Sequence, residues 1–277
     1  MRDDAIVRRT PVAGGYTHAR REILEYRSGL RVFAKTATDA LTAEWLRKEH
    51  AMYEALGAQP FLAKYLDWRD GPLPTLVLED LSHGRWPVDW KPGDVSRVMQ
   101  TLHQVSQTAP PAHLEPLPPQ DLLYDGWSRV ASDPDAFLAL RVCSVGWFER
   151  NIDRLIAHQR AHRSDPMRAL IHQDVRSDNL CFLPERTLLI DWNWAALGDP
   201  RLDVGFWLPS LHAQGGPAPH EVLPEPGPWP VHITGMWARK ASLPALEHAP
   251  RVRHVQALQL RWAMPWMQRS MGLPALR

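Results

Sequence analysis

Apolar and polar positions change rhythm along this chain. In the first part, apolar residues fall in short runs separated by turn residues. Glu22–Tyr26 and Leu30–Lys35 flank the pair Ser28-Gly29, which predicts two strands joined as a hairpin. Thr38-Asp39 then precedes a stretch in which Leu41, Trp45, Met52, Ala55 and Leu56 recur at near-helical spacing. A helix over Ala40–Leu56, capped by Thr38-Asp39 and closed at Gly57, follows from that pattern. Leu76-Val77-Leu78, after the breaks at Pro72 and Pro74, reads as a short buried strand.

Beyond Ser82 the rhythm turns helical. Val95, Val98, Met99, Leu102 and Val105 share one face of a helix for which Asp94 is the expected cap. Ala109–Pro119 holds five prolines and reads as a loop. Trp147, Phe148, Ile152, Leu155 and Ile156 mark a second helix over Trp147–His158. Two β-type runs, Leu180–Leu183 and Leu188–Ile190, are separated by Pro184-Glu185-Arg186. Gly215–Pro230 is expected to be another loop, and Arg251–Met271 is helical in pattern. No internal repeat is present. The layout predicts an α+β chain, with a small β-rich part over residues 1–80 and a larger, mainly helical part over 81–277.

Composition narrows the class. The chain has 277 residues, 44% of them hydrophobic, with 13 Trp and 26 Pro. That is enough apolar surface for a packed core and excludes a disordered chain. Thirty-two Lys+Arg against 31 Asp+Glu leave a net charge of +1, which gives no reason to expect nucleic acid or an anionic membrane as partner. Cys143 and Cys181 are too few to make a disulfide scaffold. No run approaches the ~20 apolar residues of a membrane span. MRDDAIVRRT lacks the apolar stretch of a signal peptide, so a cytoplasmic protein is expected. No motif sets an oligomeric state.

The segment Leu170–Leu180, LIHQDVRSDNL, concentrates the chemistry. His172, Asp174 and Asn179 make H-x-D-x-x-x-x-N, and Asp191 follows at the end of the apolar run Leu188–Ile190. A loop thus presents a carboxylate and an amide, a hairpin turns the chain, and a second carboxylate arrives at the far strand end. Asn179 and Asp191 offer hard oxygen ligands of the kind that suit Mg²⁺, which leaves Asp174 to contact a hydroxyl nucleophile.

This constellation resembles the catalytic loop of the protein-kinase-like superfamily. With the run IDWNWAALGDPRLDVGFWL over Ile190–Leu208 it looks most like the branch holding aminoglycoside phosphotransferases and choline kinases. Trp192-Asn193 stands where protein kinases carry Phe-Gly, which favours the small-molecule branch. The resemblance implies a bilobal kinase-like fold with a nucleotide-binding N-lobe and a helical C-lobe. It makes Asp174 the catalytic base and Asn179 and Asp191 the magnesium ligands, with His172 and Asp203 structural. Arg176 either stabilises charge on the transferred phosphoryl group or holds the loop in an ordinary ion pair.

The same resemblance assigns residues upstream. Lys35, ending the run Arg31–Lys35, takes the position of the phosphate-holding lysine. Its partner acid is Glu49, with Glu44 as the fallback. Gly14-Gly15-Tyr16-Thr17 sits where the family folds a turn over the ATP phosphates, and Glu79-Asp80-Leu81 resembles the hinge whose backbone meets the adenine, with Glu79 and Leu81 bracketing it. The implied reaction is phosphoryl transfer from ATP, or GTP, with Mg²⁺, to a hydroxyl of an antibiotic or metabolite.

Composition bears on the acceptor. Residues 204–277 hold three acids, Glu221, Glu225 and Glu247, against seven Lys+Arg, and five tryptophans (Trp207, Trp229, Trp237, Trp262 and Trp266). Such walls suit a bulky acceptor better than a polycation, although Asp121, Asp125, Asp133 and Asp135 could reach the site. Two other readings stand beside the kinase. One is a nucleotide-binding pseudokinase, opposed by the presence of Lys35, Asp174, Asn179 and Asp191. The other is a His/Asp metallohydrolase, prompted by 13 histidines but lacking any H-x-H or H-E-x-x-H.

Overall fold

Period-2 alternation builds the N-terminal sheet. In the computed structural model, which describes every residue except 1–3, 16, 88, 118–120, 163–167 and 248, the strands β1 (Ile6–Pro11), β2 (Arg20–Tyr26) and β3 (Arg31–Thr36) are followed by helix α1 (Ala40–Leu56) and by β4 (Tyr65–Arg69) and β5 (Thr75–Glu79). All pairings are antiparallel, in the order β1-β2-β3-β5-β4. The predicted hairpin is β2–β3, turned at Gly29 with φ 84°. On β3, Val32 and Ala34 are buried against Leu24, Tyr26 and Val77. Phe33 and Lys35 therefore point to the opposite face, as alternation demands. The strands β1 and β4 are additions to the sequence reading; β1 is exposed along nearly its whole length and carries little apolar signal.

Helix α1 has the predicted ends. The Asp39 carboxylate accepts from Thr42 N at 2.7 Å, and Gly57 closes the helix at φ 62°. Its buried face runs through Ala43, Leu46, Glu49, Met52, Tyr53 and Leu56, while Ala55, expected on that face, is exposed.

The C-terminal part comprises α2 (Asp94–Gln107), α3 (Leu122–Ser132), α4 (Asp135–Leu138), α5 (Val145–Ala161), the short strands β6 (Ala169–Ile171), β7 (Leu180–Phe182), β8 (Thr187–Leu189) and β9 (Ala196–Gly198), and then α6 (Pro200–Ala213), α7 (Pro219–Val222), α8 (Trp229–Ala241) and α9 (Val252–Ser270). Two boundaries differ from expectation. Gly93 occupies the cap of α2, and Asp94 sits inside its first turn, where its carboxylate pairs with Arg85 and accepts from Lys91 N at 2.8 Å. Gly215–Pro230 is not loop throughout: it contains α7, and Trp229-Pro230 opens α8, because proline has no amide to lose in a helix's first turn.

One core cluster joins α1 and β5 to the β7–β8 hairpin through Leu46, Leu76, Leu180 and Leu189. A second fills the space between α3, α5, α6, α8 and α9, with Trp127 and Trp147 fully enclosed. In it α3 crosses α8 almost backbone to backbone: a Cβ added at Gly126 would lie 2.3 Å from the Gly235 carbonyl carbon. Trp207 is buried in the first cluster and Trp229, Trp237 and Trp266 in the second, so four of the five C-terminal tryptophans pack the core. No helix of the described residues is long and apolar enough to cross a membrane.

Candidate active site

The loop between β6 and β7 is fixed from beneath. Asp203, on α6, accepts from the backbone N–H groups of His172 and Gln173, each at 2.7 Å. Those two bonds hold Gln173 at φ 65°, a left-handed conformation that glutamine rarely adopts unaided. Burial pushes the Asp203 carboxyl up to about 7, against the lowering effect of the same two bonds. Burial likewise pushes His172 down to about 4, so its ring is neutral. Its Nδ1 accepts from Asp174 N at 3.2 Å, which assigns the proton to Nε2, donating to the Ile190 carbonyl at 2.9 Å. His172 thereby ties the loop to the end of the β7–β8 hairpin.

Asp174 emerges from this frame half-buried. Asn179 Nδ2 donates to its carbonyl at 2.8 Å and to its carboxylate at 3.0 Å, and Arg176 lies 3.2 Å away. Arg176 also pairs with Asp178 at 3.3 Å. Burial raises the Asp174 carboxyl to about 6, with Arg176 opposing, so the group is ionised at neutral pH and able to accept a proton. The Asn179 amide turns its nitrogen to Asp174 and keeps its oxygen available as a ligand.

Asp191 follows the hairpin at φ 68°, another left-handed residue. Lys35 Nζ donates to it at 2.8 Å and to Glu49 at 2.7 Å. Burial acts to lower the Lys35 pKa, but Asp191 and Glu49 outweigh it and hold it above the ordinary value. Burial would raise Asp191; the Lys35 ammonium prevails and keeps it below the usual carboxylate range. Glu49, wholly enclosed, is raised by burial in spite of Lys35. Glu44 lies on the outer face of α1, paired with Lys48 at 2.7 Å and away from Lys35.

Two cavities meet at this cluster. The larger, of about 710 Å³, is lined by Gly14, Gly15, Phe33, Lys35, Glu49, Glu79, Leu81, Asn179 and Asp191. The smaller, of about 350 Å³, takes in Thr17, Trp45, Asp174, Trp194, Trp237 and Lys240. Arg21, Lys35, Arg176, Asp191 and Val255 line both. Gly14, Gly15, Thr17, Lys35, Glu49, Glu79, Leu81, Asp174, Arg176, Asn179 and Asp191 each border one cavity or the other, whereas Glu44, Asp80, His172 and Asp203 border neither; Tyr16 lies outside the described residues. Thr17 stands apart from the two glycines, on the smaller cavity, with its hydroxyl held by Arg21 at 3.2 Å. The Glu79 carboxylate is engaged elsewhere, by Arg186 at 2.6 Å and Lys64 N at 2.7 Å.

Sequence reasoning missed Arg21, Trp45, Trp194, Lys240 and Arg253. Only Arg21 had a readable signal: hairpin pairing sets it opposite Lys35. Its guanidinium packs so close to Gly15 that a Cβ there would come within 2.4 Å. Trp262 lines the larger cavity and Trp237 the smaller, so the tryptophans do not gather at one site. The middle aspartates stay outside both cavities: Asp121 caps α3, Asp125 pairs with Arg129 and Asp133 lies 3.8 Å from Arg239. Among the described residues no cluster of three or more His, Cys, Asp or Glu side chains forms a metal site of its own.

Comparison with known proteins bears on this arrangement. The sequence model of the APH phosphotransferase enzyme family matches residues 8–223. No curated protein matches the chain. Among solved structures, a thermostable mutant of aminoglycoside phosphotransferase APH(4)-Ia, in ternary complex with ADP and hygromycin B, superposes with a TM-score of 0.61 at 15% identity, covering 96% of this chain and 95% of that one. LicA in complex with AMP gives 0.58 at 12% identity, over 98% and 92%. A choline/ethanolamine kinase family protein from Mesorhizobium loti gives 0.56 at 13% identity, over 98% and 83%. At these identities the likeness is one of fold.

Proposed function

The chain belongs to the APH phosphotransferase enzyme family and is a small-molecule kinase acting on a hydroxyl acceptor; from this premise we propose that its donor is ATP, with GTP as the alternative, that the nucleotide occupies the larger cavity, and that the acceptor occupies the smaller. The observation carrying this reading is the common wall. Lys35 and Asp191 border both cavities, while Asp174 faces only the smaller one. The solved neighbours with ADP or AMP support a nucleotide as one of the two ligands.

In this reading Lys35 holds the phosphates, and Glu49 keeps its ammonium aimed. Gly14 and Gly15 close over the phosphates from the strand side, the backbone from Glu79 to Leu81 receives the base, and Thr17, on the smaller cavity, falls outside the nucleotide's chamber. The acceptor oxygen forms its bond to the γ-phosphorus as the bond to the β–γ bridging oxygen breaks, and the hydroxyl proton passes to Asp174. Arg176 sits where charge collects on the transferred group. The donor set fits magnesium: one amide and one carboxylate oxygen leave the other positions to phosphates and water. Asn179 and Asp191 would hold the ion, which supplies neutralisation of phosphate charge when bound. The division of labour follows the two parts of the chain, residues 1–80 serving the nucleotide and 81–277 supplying the catalytic loop and acceptor walls.

The test is acceptor-dependent turnover. Protein, ATP and Mg²⁺ are incubated with a panel of aminoglycosides, macrolides, choline and sugars, and phosphate esters are sought by mass spectrometry. An ester with any member establishes the reaction. Nucleotide binding without an ester across a broad panel would favour a binding protein without turnover.

A further inference from the structure

The walls of the smaller cavity carry an imbalance of charge, and its consequence rests on reading that cavity as the acceptor site. Among the described residues only Asp174 and Asp191 line it with carboxylates, and both already face cations, Arg176 at 3.2 Å and Lys35 at 2.8 Å. Three further cations line it: Lys240, Arg253 and Arg21, the last donating to the Ala19 carbonyl at 2.8 Å and the Thr17 hydroxyl at 3.2 Å. Lys240, at the end of α8, holds its ammonium 5.5 Å from the Trp237 ring centroid and 5.9 Å from that of Trp194. It pairs with no carboxylate of the described residues. Arg253, on α9, spends its donors on neutral acceptors, the Pro244 carbonyl at 2.9 Å and the Gln256 side chain at 2.8 Å.

A lysine in that position is costly. Withdrawal from water lowers its pKa, and Asp121 and Asp174 counter this only from a distance. Aromatic faces offset part of the cost through cation–π attraction. An anion entering the cavity would offset the rest, whereas an ammonium group would be repelled.

We propose that the acceptor is an anionic hydroxyl compound with a flat apolar body: its acidic group sits on Lys240 beside Arg253, its ring lies against Trp194 and Trp237, and its hydroxyl turns toward Asp174. Lys240 is then the residue that sets specificity, and the preferred acceptor has the opposite charge to an aminoglycoside or choline.

Four probes of one shape test this: 4-(hydroxymethyl)benzoate, the corresponding phenylphosphonate, the neutral benzamide and the cationic benzylamine. Each is titrated into the protein with Mg²⁺ and AMP-PNP, following tryptophan fluorescence and calorimetric heat. An acid should bind about 10- to 100-fold more tightly than the amide, as a charge-assisted contact implies, and the amine should bind most weakly. The carboxylate and phosphonate arms identify which acid is preferred. In Lys240→Met the acid-to-amide ratio should fall toward one; Lys240→Glu should favour the amine, and Arg253→Gln should give an intermediate loss. Equal binding of acids and amide by the unaltered protein overturns the proposal without recourse to any variant, as does a ratio unmoved by Lys240→Met. The same probes with ATP separate the two levels. Ester formation from the bound acid supports both, and Lys240-dependent binding without an ester retains the anion site while overturning the acceptor reading.

Discussion

Lys35 Nζ lies 2.8 Å from the Asp191 carboxylate, one hydrogen bond joining residues 156 positions apart in sequence. The same ammonium reaches Glu49, so removing it strands one enclosed carboxylate, Glu49, and one partly exposed, Asp191. Lys35→Met should raise the apparent Kd for ATP about 10- to 100-fold and cost about 3–5 kcal/mol of stability, the usual penalty for breaking a buried ion pair from one side. Calorimetric nucleotide titration and denaturant melts measure the two effects. Glu49→Gln, which keeps a hydrogen-bond acceptor for Lys35, should be milder on both.

Asp174 lines the smaller cavity and not the larger. Asp174→Ala should lower acceptor-dependent turnover by several orders of magnitude while leaving nucleotide affinity largely intact. Parallel measurement of kcat and of AMP-PNP affinity checks this, and retained turnover would sink the assignment of Asp174 as base.

Asp203 accepts two amide hydrogens with two carboxylate oxygens. Asp203→Asn sets an NH₂ group against one of those donors. An unsatisfied buried N–H costs about 1–3 kcal/mol, so the melting temperature should drop. Because the lost bond anchors the base of the loop, kcat should fall more than the KM for ATP changes.

The crossing of α3 over α8 makes a clean packing test. In an exposed helix Gly→Ala stabilises by about 1 kcal/mol. At Gly126 the added methyl would collide with the Gly235 backbone, and overpacking of this kind costs about 1–3 kcal/mol. Gly126→Ala should therefore be destabilising in urea melts, opposite in sign to the helix-propensity effect.

His232 gives the pH dependence. It is fully buried, and burial pushes it down to about 4; the bond from Nδ1 to the Leu123 carbonyl opposes that, and His158 and His162 add to it. An unfolded imidazole binds its proton near 6.5, so acid favours the unfolded chain. This stabilisation is complete above that value and is lost as pH falls toward 4, amounting to about 3 kcal/mol. His172 contributes with the same sign in the same window. Asp203 and Asp174, raised to about 7 and about 6, take up protons in the same window with the opposite sign, so the His232 share is read by difference: in parallel thermal melts between pH 7 and 4, His232→Gln, which keeps a donor for Leu123, should lose less stability than the unaltered protein.

Local signals made part of this fold legible. Helix α1 announced both its ends because the cap Asp39 and the stop Gly57 each adjoin it in sequence, and the candidate catalytic loop announced itself through residue types at fixed spacing. The choice between Glu44 and Glu49 was also open to phase: Glu49 falls in step with Leu46, Met52, Tyr53 and Leu56, and Glu44 does not. Helix α6 escaped notice because Leu202 through Leu211 are all buried, leaving no polar face to reveal a period. Prolines hid α8 by sitting in its first turn. Lys240, Trp194 and Trp45 meet only through tertiary packing, and no spacing rule joins them.

Arg21, Lys35, Arg176, Asp191 and Val255 border both cavities, so these five side chains form the boundary that the two chambers share. On the proposed reading, a single bisubstrate inhibitor, a nucleotide polyphosphate tethered to an acceptor-like ring, has to thread between these five side chains. Its second half binds at the effective concentration set by the tether rather than by bulk solution, which makes affinity at the junction a matter of linker length.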